Sequence, residues 1–270
     1  MCKVLIKKLE EAICCEGDFC SSNPIGSYLY YLYSIPKAVS RTVEKAKEFK
    51  CPDEVRDGLK MFEEAVVNGE DLLPWLSTQY TERQGNEKDY MMSLFHVCHF
   101  HLGTEMEKRR KYGNKIKRTN YILYAYVTEN SVYELGIEPH GAWGDVRWQE
   151  RIIKNWPSLI SDSHKLNDCD DVAFCPQNAE EILQLAKLGV NVSFKIGTEQ
   201  MLPFGGGVTN LGKAQLSQFR SIIIKNWLRK QERAIIKQFG EPVLNGCSVS
   251  INKGMLYISS SHFDSIEYIF

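Results

Sequence analysis

The stretch YILYAYVTENSVYELGIEP, residues 121–139, decides the fold class of this chain. Residues 121–127 are apolar on both faces and rich in β-forming side chains, which is typical of a strand buried on both sides. After the short polar turn TEN, the apolar Tyr133, Leu135 and Ile137 alternate with polar residues or glycine. The pattern predicts an antiparallel hairpin.

The segments before this hairpin have helical patterns. CPDEVRDGLKMFEEAVVNGED (51–71) places a proline and acidic residues in a first turn and ends at Asn68 and Gly69. SIPKAVSRTVEKAKEF (34–49) also has a proline near its start and repeats apolar residues at helical spacing. We therefore predict that residues 1–94 form a helical N-terminal region.

The segments after the hairpin predict a mixture of helices and strands. DVRWQERIIKNWPSLI (145–160) is helical up to Trp156, because a proline disfavours helical geometry in the residue before it. Helices follow at 178–189 and 215–240, a strand at 191–197 and a hairpin at 247–259. The prediction is an α+β protein with a helical N-terminal part, a small central antiparallel β-sheet, and C-terminal helices with a second small β element. Its regions are 1–94, then 95–160, which holds the sheet, a helix and the candidate active site, and then 161–270.

Composition sets limits on compartment and partners. The 270 residues are 43% hydrophobic, and 33 lysines and arginines nearly balance 34 aspartates and glutamates, so any preference for a polyanion must be local. Nine cysteines at irregular spacing are typical of free thiols in a reducing cytoplasm. The start MCKVLIKKLEEAICC has the spacing of an amphipathic helix, and no apolar run approaches the ~20 residues that span a bilayer. We expect a cytoplasmic protein with no membrane partner.

The segment FHVCHFHLG, residues 95–103, concentrates three of the six histidines. Its aromatic content and terminal glycine favour a strand, in which His99 and His101 share one face while His96 points the other way with Cys98 and Phe100. Two imidazoles on one face suit a general base and a general acid, because their pKa lies near neutrality. They also suit a metal site completed by a carboxylate. The spacing leaves both chemistries open.

A dense cationic run, GTEMEKRRKYGNKIKRTN (103–120), follows the histidine strand and connects it to the buried strand. A charge run is most often a solvated face, yet this one lies where a polyanion would be drawn toward the histidines. The turn EPHGAWG (138–144) presents a third histidine, His140, and also Trp143.

Residues 94–145, with HFHLG, KRTNYILYAYV and SVYELGIEPHG, resemble the ribonuclease fold of RelE-like toxins and EndoU-type nucleases. The resemblance implies metal-independent RNA cleavage without a cofactor, in which the ribose 2′-hydroxyl attacks its own phosphate. That reaction needs a base, an acid and a cation. The implied partners are RNA and an antitoxin or inhibitor protein, in a toxin or phage-defence effector.

The resemblance also implies residue roles. His99 and His101 would be base and acid, with His140 as a third candidate, while Lys117 or Arg118 would stabilise the phosphate charge. Thr119 and Trp143 would position phosphate and base. The predicted catalytic residues are His99, His101, His140, Lys117, Arg118 and Thr119, and the predicted substrate-binding residues are Arg109, Arg110, Lys115, Tyr121 and Trp143.

Two other functions remain open from the sequence. HFHLGTE resembles part of the first cupin motif, so that His99, His101 and Glu105 would hold a metal. The other alternative is a non-catalytic module that binds a nucleic acid or a protein through the basic loop.

Two features of the C-terminal region complete the predictions. PFGGGVTNLG (203–212) lacks the spacing of a nucleotide-binding phosphate loop, so Gly205–Gly207 are expected to form a flexible turn or a substrate-contact loop. The helix at 215–240 carries several cations around a predicted apolar stripe that includes Ile222, Ile223, Trp227 and Ile235. Its cations predict a solvated face or a second RNA-contact surface.

Overall fold

The computed structural model has the predicted α+β architecture, with helices toward both ends of the chain and small sheets between and after them. It describes residues 3–17, 19, 21–78, 89–109, 113–141, 145–160, 164–166, 176, 178–209, 214–252 and 255–269. Within these ranges, no helix combines the length and the apolar character that crossing a membrane requires.

The regular elements have the following bounds. The α-helices are α1 (Val4–Gly17), α2 (Pro24–Ser34), α3 (Arg56–Asn68), α4 (Arg147–Asn155), α5 (Ala179–Lys187), α6 (Gln215–Phe239) and α7 (Val243–Gly246). The strands are β1 (Thr42–Lys45), β2 (Val97–His101), β3 (Met106–Arg109), β4 (Gly113–Ile116), β5 (Tyr121–Val127), β6 (Ser131–Pro139), β7 (Lys165–Leu166), β8 (Phe194–Ile196), β9 (Glu199–Met201), β10 (Ser248–Asn252), β11 (Met255–Ser260) and β12 (Phe263–Ile269). Single turns of 3₁₀-helix lie at Asp53–Val55 and Pro157–Leu159, and a π-helix spans Met91–Phe95.

The central sheet has the strand order β1-β6-β5-β2. The predicted hairpin is confirmed: β5 and β6 are antiparallel, and β2 pairs with β5 in the same sense. A bulge in β6 interrupts the pairing, since Tyr124 and Ala125 of β5 face Gly136 and Glu134 and Leu135 is passed over. The histidine strand is therefore an immediate neighbour of the most buried strand.

Helices cover this sheet on both faces, which explains why β5 is apolar throughout. On one face, Phe62 of α3 lies 4.6 Å from Phe100 of β2, measured between ring centroids. On the other face, Tyr124 of β5 stacks on Trp148 of α4 at 4.3 Å. All four rings are almost completely buried.

One predicted helix is a strand instead. Residues 34–49 contain β1, which runs parallel to β6, with Thr42 opposite Ser131 and Lys45 opposite Glu134. The β-branched Thr42 and Val43 suit an extended backbone, and β6 offers them a free edge to pair with. Residues 42–45 therefore pair with a strand that is distant in sequence, although the spacing of their apolar neighbours favoured a helix. The predicted helix at 34–49 was wrong.

The described residues form two compact units, which differ from the three regions predicted from the sequence. One unit combines the chain up to Tyr31 with the chain from Leu216 onward, and the other holds the residues between them. In the first unit, Leu5 and Leu9 of α1 pack with Leu228 of α6 and with the sheet β10-β11-β12. The first helix therefore belongs with the last fifth of the chain, which no local pattern indicated.

A buried carboxyl group lies beside the β1–β6 pair. Glu134 has none of its surface exposed, and its Oε2 is 3.9 Å from Lys45 Nζ. The same ammonium group lies 2.7 Å from Glu63 Oε1 on α3. Burial raises the pKa of Glu134 to about 8, and the negative charge of Glu63 adds to the effect while Lys45 opposes it. The thiol of Cys51 and the guanidinium of Arg56 face the same cluster.

The pKa of Glu134 predicts a pH dependence of stability. Between its ordinary pKa of 4.5 and about 8, the folded protein holds a proton that the unfolded chain releases. The free energy of unfolding should therefore fall as pH rises through this window, by roughly 3 kcal/mol. Urea unfolding of Glu134→Gln from pH 5 to pH 8 should show a shallower slope than the wild type. Glu64→Gln, an exposed neighbour, is the control, and equal slopes in all three proteins would contradict the prediction.

The close approach of α3 to the end of β2 predicts a second effect. A Cβ atom on Gly58 would lie 1.8 Å from the carbonyl oxygen of Leu102, so Gly58→Ala forces a backbone to move. We expect a loss of about 2 kcal/mol, although alanine normally stabilises a helix relative to glycine. In Gly246→Ala the new Cβ meets no atom within 4 Å, so that variant should be as stable as the wild type. Denaturant unfolding of both variants measures the difference.

Candidate functional site

The histidine strand β2 lies where the sequence predicted it, and His99 and His101 share one face of the sheet. They stand opposite Tyr124 and Ile122 of β5, in a strand whose five residues are all buried. The face that carries them also holds the apolar cluster around Trp148. The two imidazoles are thus set into a hydrophobic layer.

His96 differs from the prediction, since it lies outside the strand. It ends the π-helix with a φ of 55°, a left-handed conformation that is uncommon for residues other than glycine. Its ring lies 4.7 Å from Tyr33 and 5.3 Å from Tyr126 between centroids, and burial lowers its pKa to about 4. His96 is therefore half-buried against two tyrosines and does not share a face with Cys98 and Phe100.

His99 is enclosed by the protein. Only 1% of its surface is exposed, and its Nδ1 lies 3.3 Å from Oδ2 of Asp89, whose side chain is equally buried. Burial lowers the pKa of His99 to about 3, and the positive charges of His140 and Arg118 lower it further. The ring is neutral at pH 7 and does not reach solvent. The catalytic role predicted for His99 stays a prediction, and in this structure His99 could affect a bound ligand only through its neighbours.

His101 lies at the end of the same strand, beside a surface. Its ring centroid is 5.6 Å from that of His140, which is exposed just after the end of β6. His101 itself is 4% exposed, and its buried Nδ1 has no hydrogen-bond partner among the described residues. Burial lowers its pKa to about 3, with further lowering by nearby histidines and arginines. His101 therefore has two histidine neighbours: His99 on the same face of the strand, as predicted, and His140 at the surface.

A small cleft opens at His101. It is narrow, and the residues that line it include three cations and no carboxylate: Leu76, Thr78, His101, Arg109, Lys115, Ile116 and Arg118. Arg118 is exposed and donates from Nη2 to Thr78 Oγ1 at 3.4 Å. Arg109 is half-buried and donates from Nε to Glu107 Oε1 at 2.6 Å. Three positive side chains around one opening favour the binding of an anion here.

Lys115 forms the buried floor of the cleft. It is 2% exposed, and its ammonium group donates to the carbonyl oxygens of Leu73 at 2.7 Å and Leu76 at 3.2 Å. Burial lowers its pKa to about 8. Because an ammonium group has three donors, one remains for a ligand. Lys115 is therefore primarily an anchor of the 73–76 turn, where the sequence predicted an exposed substrate contact.

Other predicted residues lie away from the cleft or in backbone contacts. Lys117 is exposed and pairs with Glu105 at 3.0 Å. Thr119 donates its hydroxyl hydrogen to the carbonyl oxygen of Tyr121 at 2.7 Å, and Tyr121 is half-buried in β5. Arg110 and Trp143 lie outside the described residues. Of the predicted cations, Arg109, Lys115 and Arg118 converge on the cleft.

The alternative metal set does not come together. His99 is enclosed beside Asp89, whereas Glu105 is exposed and bound to Lys117. In the part of the chain that the structure describes, no three histidine, cysteine, aspartate or glutamate side chains are arranged to hold a metal ion.

The glycine-rich loop has a structural role. The N–H groups of Gly205, Gly206 and Gly207 all donate to carbonyl oxygens, two of them to the π-helix, at Leu94 and Ser93. A Cβ atom on Gly205 would lie 2.3 Å from the carbonyl oxygen of Met92, so only glycine fits there. The N–H groups of these three glycines are therefore all used within the protein, and the contacts support the segment that leads into β2.

Asp89 and Thr78 belong to this region although the sequence reading did not single them out. Asp89 Oδ1 accepts the N–H of Met92 at 2.9 Å, which is the capping contact of a short helical turn. The sequence signal that could have identified Asp89 is its position three residues before Met92, where an aspartate can cap a helical turn. For Thr78 there was none, because its place in the cleft depends on a contact with Arg118, forty residues away in sequence.

No family model, curated protein or solved structure matches this chain. The resemblance of residues 94–145 to ribonuclease toxins therefore stays a prediction, and the candidate site must be judged by its own geometry.

The cleft geometry predicts specific anion binding. At sulfate concentrations tenfold above the dissociation constant, the wild type should gain about 1.4 kcal/mol of stability over chloride at equal ionic strength. Arg118→Gln should lose most of this gain. Lys108→Gln removes an exposed cation of the same hairpin that does not line the cleft, and should keep it. Thermal unfolding in both salts is the measurement, and equal responses of the two variants would rule out the cleft as the site.

Proposed function

We propose that this protein is a cytoplasmic, metal-independent endoribonuclease that holds the scissile phosphate in the cleft at His101. The observation that carries the proposal is the convergence of three cationic side chains and His101 on one opening, with the His140 ring 5.6 Å from that of His101. It is the only described place where an imidazole pair meets a cationic pocket.

Phosphate binding would rest on the cations. The guanidinium group of Arg118 is exposed and can form two parallel hydrogen bonds to phosphate oxygens, while Arg109 would exchange or share its contact with Glu107. The free donor of Lys115 would reach the phosphate from the floor of the cleft. Together they would stabilise the extra negative charge of the pentacoordinate transition state.

The two histidines would transfer the protons. His101, neutral at pH 7, accepts the proton of the ribose 2′-hydroxyl as O2′ forms a bond to phosphorus. His140 donates a proton to the 5′-oxygen as the P–O5′ bond breaks, so the products are a 2′,3′-cyclic phosphate and a 5′-hydroxyl. The bound phosphate brings negative charge beside His101 and raises its pKa toward the range in which a base works best. His99, held by Asp89, would support His101 from behind.

RNA is the partner that this chemistry requires, since DNA lacks the 2′-hydroxyl group. An enzyme that cleaves cellular RNA must be restrained in the cell that makes it. A toxin or phage-defence effector with an antitoxin or inhibitor protein is the biological role that the proposed activity fits.

A second function is favoured by the burial of the imidazoles. His99 and His101 are both enclosed and hard to protonate, which suits a site that binds phosphate without chemistry. In that case the protein is a non-catalytic RNA-binding module, and its affinity depends on Arg109 and Arg118 alone.

The two functions predict different results with RNA in the presence of a chelator. The ribonuclease should produce cyclic phosphate ends, and His101→Gln or His140→Ala should each lower the rate by about 10²–10⁴-fold without loss of RNA binding. His262→Ala removes an exposed histidine of the other unit and should have no effect.

The measurement is end-group analysis of cleaved RNA, together with RNA binding by fluorescence anisotropy. RNA with 2′-deoxyribose at the cleaved position should bind and resist cleavage. Binding of RNA without cleavage by the wild type would support the second function. Cleavage that survives both histidine substitutions would remove them from the mechanism.

A further inference from the structure

The long helix α6 has an outward face that the core of its unit leaves uncovered. Its inward face is complete, because Ile224, Leu228 and Ile235 pack into the core with α1 and the C-terminal sheet. At 100° per residue, a second set of side chains points within about 60° of the opposite direction from Leu228. Seven of these residues, between Phe219 and Lys237, are called the outward face here: Phe219, Ile222, Ile223, Asn226, Lys230, Arg233 and Lys237.

The first half of the outward face is apolar. Phe219 is 61% exposed, Ile222 55% and Ile223 41%. Their spacing of three and four residues places them side by side over one turn. This differs from the sequence prediction, in which Ile222 and Ile223 belonged to the core stripe. A contiguous group of large apolar side chains in water is typical of a binding surface.

The second half of the outward face is cationic. Lys230, Arg233 and Lys237 are exposed, and none of them forms an ion pair with a described residue. The only acidic residue of α6, Glu232, is 1% exposed and points inward, where it accepts the N–H of Leu5 at 3.3 Å. The outward face therefore has no negative charge along its length.

We propose that this face docks an acidic amphipathic helix of a partner protein. The partner would place apolar side chains against Phe219, Ile222 and Ile223, and carboxylates against the three cations about two to four turns further on. The face extends over 18 residue steps, or about 27 Å, which corresponds to a partner helix of about five turns. The charges would set its direction and speed its association.

The arrangement of the two halves argues against other occupants. A helix that lies on a membrane carries its apolar side chains along its whole length, with cations to the sides, whereas here they follow each other on one face. Single-stranded nucleic acid stacks successive bases on several aromatic rings, and of the three apolar side chains here only Phe219 offers one. A second copy of α6 would bring cations against cations when parallel, and cations against apolar side chains when antiparallel.

Three peptides test the proposal with the full-length protein. Two are labelled helices of about 18 residues, with three leucines in one half and three glutamates in the other at spacings of three and four, in the two possible orders. The third has the same composition in scrambled order. Fluorescence anisotropy should show that one ordered peptide binds and that the scrambled peptide does not, with affinity falling as salt rises.

Two variants should each weaken this binding by at least about tenfold. One is Lys230→Glu with Arg233→Glu and Lys237→Glu, and the other is Phe219→Gln with Ile222→Gln and Ile223→Gln. Because all six side chains are exposed, both variants should unfold at the wild-type temperature. The matched control, Lys7→Glu with Lys37→Glu and Lys60→Glu, makes the same change in charge on exposed lysines elsewhere and should bind as the wild type does.

Three outcomes would overturn the proposal. The first is that neither ordered peptide binds more tightly than the scrambled one. The second is that binding survives either variant. The third is that vesicles of anionic phospholipid, or single-stranded RNA, bind the wild type and lose that binding in both variants, which would assign the face to a membrane or to a nucleic acid.

Discussion

The constraint on which the candidate site depends is the burial of β5 on both of its faces. Phe100 and Phe62 close one side of the sheet, and the stack of Tyr124 on Trp148 closes the other. A strand enclosed in this way can pair only in a register that puts its apolar side chains inward. The register of β2 against β5 is therefore well determined, and with it the positions of His99 and His101.

Charged groups gather where this enclosed layer ends. His101 is the last residue of β2, His140 follows the last residue of β6, and the hairpin β3–β4 brings Arg109 and Lys115 to the same place. Lys115 connects the hairpin to the 73–76 turn through two backbone carbonyl oxygens. The cleft thus has the buried Lys115 at its floor and the side chains of Arg109 and Arg118 at its rim, an arrangement that favours an anion.

Several ionisable groups remain in the interior, and each is held differently. His99 has Asp89 beside it, Lys115 has two carbonyl oxygens, and Glu134 has only the distant ammonium group of Lys45. Desolvation favours the neutral form of each group, which lowers the pKa of the histidine and the lysine and raises that of the glutamate. Glu134 is the least satisfied of them, because neither oxygen of its carboxyl group has a hydrogen-bond partner among the described residues.

The sequence by itself determined the hairpin of β5 and β6, the histidine strand and the pairing of faces within it, because these follow from a local alternation of side chains. It also showed that Arg109, Lys115 and Arg118 lie near the histidines along the chain. It could not show that His99 would be enclosed and His101 left at an edge, since both occupy the same face of one strand. That difference depends on Asp89, on Thr78 and on the helix that carries Trp148. The sequence also could not predict the strand β1 or the packing of α1 against α6. Both depend on contacts between segments that are distant in sequence, and the energy of such contacts does not appear in any local pattern.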